Sequence, residues 1–248
     1  MGSILTLSIL GASTLVTSFI SGILGMAGGM ILMGVLLAMM SLPAAMMLHG
    51  ISQLAANGWR ALMLRREIDW RVIGGYCAGA AIALAVFLAL RIVVAKPVAL
   101  IAMGLTPFVA LVLPERLHLN VERPWHPFLC GMICLAFNLT AGIAGPLLDV
   151  FFVRSKMSRH RVVATKAATQ SLSHIVKVAY FGAVLAIGGD EVTPMLAATL
   201  IALAFIGTSL SKQVLERISD HAFRRWTRWT VMTLGLFYLA SGLKLALA

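Results

Sequence analysis

The sequence predicts an all-α polytopic membrane protein: two inverted repeats with glycine-broken helical hairpins, about eight membrane segments in all. Three observations lead there: the composition, the recurrence of apolar runs near spanning length, and a pattern that returns in the second half of the chain. Of 248 residues, 60% are hydrophobic and 12% charged, with mean hydropathy +0.95, against about 25% charged in a soluble domain. The apolar runs lie at 4–24 continuing to 40, 43–64, 72–90, 97–113, 125–153, 162–187, 194–210 and 228–246. A bilayer core about 30 Å thick needs roughly 20 such residues per helix. No long polar stretch separates the runs, which predicts one integral membrane domain over 1–248, with one repeat near 1–120 and the other near 121–248.

The first run, 4–40, has no Lys or Arg before it and no cleavage site followed by a soluble domain, so it is expected to be part of the structure and not a signal peptide. Its "GILGMAGG" stretch (22–29) places Gly25, Gly28 and Gly29 where glycine permits dihedrals that interrupt a helix; a Gly25-xxx-Gly29 packing contact is the plain alternative. The next run, 43–64, carries His49, Gln53, Asn57 and Arg60 at helical spacing, within an arc of about 80° on one helix face. Runs 72–90 and 97–113 are featureless apolar spans. In 125–153, "TAGIAGP" (140–146) repeats the glycine break with Gly142, Gly145 and Pro146, the proline suiting the first turn of a new half-helix. Run 162–187 opens with "KAATQSLSHIVK", in which Lys166, Gln170, His174 and Lys177 share the spacing of the first stripe. Runs 194–210 and 228–246 close the chain.

Residues 25–62 align without a gap on 142–179, an offset of 117 positions that lays Gly25 on Gly142 and Arg60 on Lys177. Gly28 falls on Gly145, Ser41 on Ser158, Gln53 on Gln170, His49 on Lys166 and Asn57 on His174. Loops 65–71, 154–161 and 211–228 are the most basic and belong in the cytoplasm by the positive-inside rule; the acidic "GGDEVTP" (188–194) belongs outside. Run 43–64 then travels inward and 162–187 outward. The repeats are inverted, 4–40 and 125–153 each enter and return on one side, and both termini lie outside. The net charge of +11 is accounted for by these loops, not by nucleic acid. Cys77, Cys130 and Cys134 read as packing residues. No HExxH, GxSxG or ligand cluster appears, so no metal, cofactor or enzymatic activity is expected.

Inverted repeats surround one central site in transporters. A half-helix starting near Gly29 or Pro146 aims free N–H groups and partial positive charge at that centre, which suits an anion. Asp149 is the sole acid inside a predicted segment, whereas His49, Arg60, Lys166, His174 and Lys177 are basic candidates there. A charge at mid-bilayer costs about 2.5–3.5 kcal/mol on insertion scales, and one carboxylate cannot serve several cations; a bound anion can. The substrate-binding candidates are Gly25, Gly28, Gly29, Gln53, Asn57, Arg60, Gly142, Gly145, Pro146, Gln170, Ser173, His174 and Lys177, with His49 and Asp149 as coupling candidates. Each has a plainer alternative. Arg60 and Lys166 can reach the interface, Lys177 can pair with Asp149, the glutamines can bond helix to helix, and the histidines can be satisfied core residues.

On "GILGMAGG" with the helix after it, "LRREIDWR" (64–71), "GIAGPLLDVFFV" and "ATKAATQ", the chain resembles the TauE/SafE sulfite-exporter family of membrane permeases over most of its length. The run after Gly29, "MILMGVLLAMM", lacks the proline expected in its half-helix. The resemblance implies seven or eight membrane segments from a duplicated unit, a bacterial inner membrane, and transport of sulfite or small organosulfur anions. The expected function is export of such an anion through a midplane site. A permease for another anion such as a carboxylate, and an assembly subunit of a membrane complex, are the alternatives. The partners expected are the small anion and the lipid bilayer, with a homo-oligomer compatible.

Overall fold

In the computed structural model, residues 4–24, 26–112, 119–184, 191–215 and 220–247 are described, and every element among them is helical. The first predicted hairpin is α1 (Ile4–Leu24) with α2 (Ala27–Met39); the second is α6 (His126–Thr140) with α7 (Gly145–Phe152). Between them run α3 (Leu42–Met63), a 3-10 turn at Arg65–Glu67, α4 (Trp70–Leu90) and α5 (Lys96–Val112). After them come α8 (Arg159–Ala179), a π-helical turn at Tyr180–Val184, α9 (Pro194–Leu215) and α10 (Asp220–Leu247). Gly25 and residues 188–190 of the acidic loop lie outside the described residues.

Four stretches are long and apolar enough to cross a membrane: Ile4–Ile23, Trp70–Leu90, Pro194–Ser211 and Arg225–Leu247. Helices α3 and α8 have the length, 22 and 21 residues, or about 31–33 Å at 1.5 Å per residue. Their polar stripes keep them below that standard of apolarity. The remaining apolar helices are short.

Local signals set the boundaries. Pro43 sits in the first turn of α3. The Asp69 carboxylate caps α4 by accepting from Arg71 N–H and Val72 N–H at 3.1 and 3.3 Å, and the Ser158 hydroxyl caps α8 by accepting from Arg161 N–H. Gly142, at φ +78°, supplies the left-handed turn that ends α6.

Two opposite ends emerge from the loop contacts. At one, the Asp69 carboxylate pairs with Arg161 at 2.8 Å, the Asn120 amide donates to Arg154 O at 3.2 Å, and Lys156 N–H donates to Glu122 at 2.7 Å. At the other, Ser41 N–H and its hydroxyl both donate to Glu191 at 3.0 Å. Helix α6 leaves the first end and α7 returns to it. Helix α1 runs alongside α9 in the same direction, with Gly11 by Leu203 and Gly22 by Ser211; it leaves the second end, and α2 returns there. Helix α10 lies antiparallel to α5, Gly242 by Ile101 and Gly235 by Pro107, which brings Leu247 to the same end as Ile4.

The pairings are unchanged when α1–α5 are exchanged with α6–α10. Helix α1 packs on α9 as α6 packs on α4, and α2 on α10 as α7 on α5; α3 packs on α8 and α5 on α10. The closest contacts are made by small residues, as lipid provides no hydrophobic drive between helices. A Cβ on Gly79 of α4 would fall 1.8 Å from Phe128 O, whereas one on Gly74 would meet nothing within 4 Å. Gly79→Ala is therefore expected to destabilise the protein by about 1–3 kcal/mol, read as a lower thermal unfolding midpoint in detergent, with Gly74→Ala neutral or slightly stabilising.

Candidate functional site

The polar stripes meet each other. Helices α3 and α8 pack antiparallel, with Gly50 against Lys177 and Val178 and Gly58 facing Ser171. The two helix breaks meet as well: a Cβ on Gly145 would lie 2.5 Å from Met26 Cβ, and one on Gly142 2.6 Å from Met33 Cε. Where breaks and stripes converge lies a small cavity of about 30 Å³, of the order of one to a few water molecules. Ser21, Met26, Gly29 and Met30 wall it from the first hairpin, and Ile143, Ala144, Gly145 and Pro146 from the second. His49, Gln53 and Asn57 come from α3, Gln170 and His174 from α8.

The half-helices begin at Ala27 and Gly145, so α2 starts two residues earlier than its expected origin near Gly29. First-turn N–H groups have no intrahelical acceptor. At α7, where Pro146 has no N–H, this leaves those of Gly145 and Leu147, since Leu148 N–H already donates to Ala144 O at 2.9 Å. Two side-chain nitrogens on the cavity wall, Gln53 Nε2 and His174 Nδ1, are buried without a partner among the described residues. A buried polar atom left unpaired costs about 1–3 kcal/mol, and a group entering the cavity removes that cost.

A hydrogen-bonded chain ties the two breaks together through the stripes. His49 Nε2 bonds Gly29 O at 2.9 Å, Lys177 Nζ bonds His49 Nδ1 at 2.8 Å, and Lys177 Nζ donates to Gly142 O at 2.9 Å. A carbonyl only accepts, so Nε2 carries the imidazole proton and Nδ1 accepts from the ammonium. The His49 and His174 rings stand edge to face with centroids 5.6 Å apart. Lys177 is 0% exposed, and no carboxylate pairs with it among the described residues.

Several candidates stand elsewhere. Lys177 is not on the cavity wall: it lies behind His49 because its side chain crosses to Gly142. Gly28 faces α1, where a Cβ would fall 2.0 Å from Thr17 O. The Ser173 hydroxyl bonds Tyr76 of α4 at 2.5 Å and leaves the wall to its neighbours. Asp149 pairs with Lys166, so the alternative of a Lys177–Asp149 pair does not hold. Arg60 is half-buried at the far end of the stripe, donating to Asn57 Oδ1 at 3.5 Å and to Ser21 O at 3.4 Å, two residues that do line the cavity. Gly142 contributes its carbonyl to Lys177 rather than a wall.

Ser21, Met26, Met30, Ile143 and Ala144 are wall residues that the sequence reading missed. For Ser21 a signal exists, because the same 117-position offset lays it on Asn138, and both are buried polar residues in apolar helices. Among the described residues no three His, Cys, Asp or Glu side chains converge as for a metal ion.

The cavity offers an amide donor and helix N-termini, with the Lys177 amine behind His49, and among the described residues its wall carries no carboxylate, a setting that suits an anion. No curated protein and no solved structure matches the chain. One family model does, that of the sulfite exporter TauE/SafE, over residues 10–238. An apolar helical protein whose family model spans nearly its whole length is an integral membrane protein, and this chain belongs to the TauE/SafE family of membrane sulfite exporters.

Proposed function

We propose that the chain is a permease that exports a small sulfur-containing anion, sulfite in the first instance, through the cavity at the meeting point of the two hairpins. The observation that carries this reading is the small cavity between the two helix breaks, with the side-chain nitrogens Gln53 Nε2 and His174 Nδ1 on its wall buried and without a partner among the described residues. In the mechanism, first-turn N–H groups of α2 and α7 bind anionic oxygens, and Gln53, Asn57, Gln170 and His174 give directional bonds. Lys177 supplies positive charge through His49, and Arg60 draws the anion to the end near Ser21. The cavity's small volume favours sulfite over a bulkier organosulfonate. An inside-negative potential drives an anion outward by about 2.3 kcal/mol per charge per 100 mV, so export needs no second substrate.

The same proposal makes α1–α5 and α6–α10 inverted repeats of one integral membrane domain, with all ten helices in about eight membrane segments. What supports it is the exchange symmetry of the pairings and the antiparallel contact of α3 with α8. The end bearing the exposed Arg65, Arg66, Arg154, Lys156, Arg159 and Arg161 faces the cytoplasm of a bacterial cell, and both termini lie outside. A reporter fused at residue 67 is expected to give a cytoplasmic signal; a periplasmic one overturns the orientation.

Transport is tested with radiolabelled sulfite in proteoliposomes under an imposed potential. Flux is expected to follow the potential, and Gln53→Leu to raise the KM for sulfite about 5- to 10-fold, the loss of one hydrogen bond of roughly 1 kcal/mol or slightly more. A wild type with no flux of sulfite or small sulfonates sinks the proposal.

A further inference from the structure

A second concavity lies away from the transport cavity, where α2, α5 and α10 meet. Its volume is about 350 Å³, and it is lined by Gly34, Leu37, Leu100, Phe237 and Tyr238 among others, with Lys96, Ser241 and Lys244 toward one end. Such a volume is that of a ligand pocket, typically about 300–1,000 Å³. The polar residues mark the end of the molecule that holds Ser41 and Glu191, since Lys96 opens α5 and Lys244 lies in the last turn of α10. From there the groove descends to Tyr238, six residues below Lys244 on α10, about 9 Å along the axis. The groove is thus apolar in depth and cationic at its mouth.

Neither lysine has an acidic partner among the described residues; Lys96 Nζ makes one long bond, to Met40 O at 3.4 Å. Lys96 also stands in the first turn of α5, where the helix dipole disfavours a cation and favours an anion. Two unpaired lysines at interface depth above a greasy slot match a phospholipid in charge and in shape: phosphate at the ammonium groups, acyl chain against Leu100, Phe237 and Tyr238.

We infer that this groove is a binding site for an anionic phospholipid of the leaflet at that end, phosphatidylglycerol in type. Its inner wall touches the transport cavity's own frame. The Tyr238 hydroxyl donates to Met30 O at 2.8 Å, and Met30 lines that cavity. A chain seated on Tyr238 therefore braces the first helical turn of α2. The site stands on its own residues and holds whatever anion the protein carries.

The test uses the full-length protein in detergent, with phosphatidylglycerol and phosphatidylcholine of identical acyl chains, and reads retained lipid by native mass spectrometry. Each lysine near a membrane surface contributes about 1 kcal/mol toward an anionic lipid, so two predict a preference of roughly 30-fold. Lys96→Gln with Lys244→Gln is expected to bring that preference close to one while the protein remains folded. Ala38→Trp, which fills the exposed side of the groove, is expected to lower retention of both lipids, and its thermal unfolding midpoint in lipid-free detergent checks that it folds. Equal retention of the two lipids by the wild type overturns the site. So does a preference that survives the double lysine substitution, or a dimer that covers α5 and α10 in place of lipid.

Discussion

Replacing Lys177 with methionine is expected to cut sulfite flux in proteoliposomes by about 10- to 100-fold, from the roughly 1.5–3 kcal/mol carried by a hydrogen bond to a charged group. Methionine keeps the length and fills the same space, so the change is confined to charge and hydrogen bonding. It leaves Gly142 O and His49 Nδ1 without a donor, and the chain from one helix break to the other is cut at its middle. His49 would still hold Gly29 O, so the first hairpin keeps its bond to α3 while the second loses the bond from Gly142 O to α8. Lys177→Arg is not expected to restore flux. A guanidinium is a planar fork, and the ammonium sits fully buried between Gly142 and His49, with Cε pressed near Gly50. Elution and thermal unfolding of the detergent-solubilised variants separate loss of transport from loss of fold. Unchanged flux in a folded Lys177→Met protein would make the chain a packing device and remove Lys177 from the site.

The parts of this architecture that showed in the sequence are those where a residue contradicts its surroundings. Four polar side chains at helical spacing in an apolar run cannot be lipid-facing without cost, so α3 and α8 announce their inward faces. Glycine clusters inside runs of spanning length mark the two breaks for the same reason, because unbonded backbone in a membrane requires a special setting. What did not show depends on distances between elements. Lys177 and Ser173 belong to the same stripe, yet one crosses to Gly142 and the other turns to Tyr76, since a face about 80° wide spans several neighbours. Gly28 and Gly29 are adjacent and glycine for different causes: the first admits Thr17 O of α1, the second lies under the Gln53 amide. Met26 and Met30 line the cavity, and in a chain with 14 methionines nothing in their letters distinguishes them. The Asp149–Lys166 pair joins two residues that the sequence had sorted into separate roles, a coupling acid and an interfacial cation.

Gly145→Ala is the second substitution with a large expected effect, and here the argument is steric. Alanine retains the N–H of the first turn of α7 and is a better helix former than glycine, so neither the dipole nor helix propensity predicts harm. The added methyl, however, lands 2.5 Å from Met26 Cβ, an atom fixed to the backbone of the other break, and the two hairpins must separate. Overpacking of this kind costs about 1–3 kcal/mol, and because the displaced walls belong to the cavity, sulfite flux is expected to fall about 10-fold or more. Met26→Gly removes the opposing Cβ and, combined with Gly145→Ala, is expected to recover most of the flux. The pair thus forms a double-mutant cycle in which the double substitution costs less than the sum of the two, by about 0.5–3 kcal/mol, the range for residues in contact. Additive losses in that cycle would mean that the two breaks do not bear on each other during transport. Recovery would establish that the meeting of Met26 and Gly145 sets the geometry of the site.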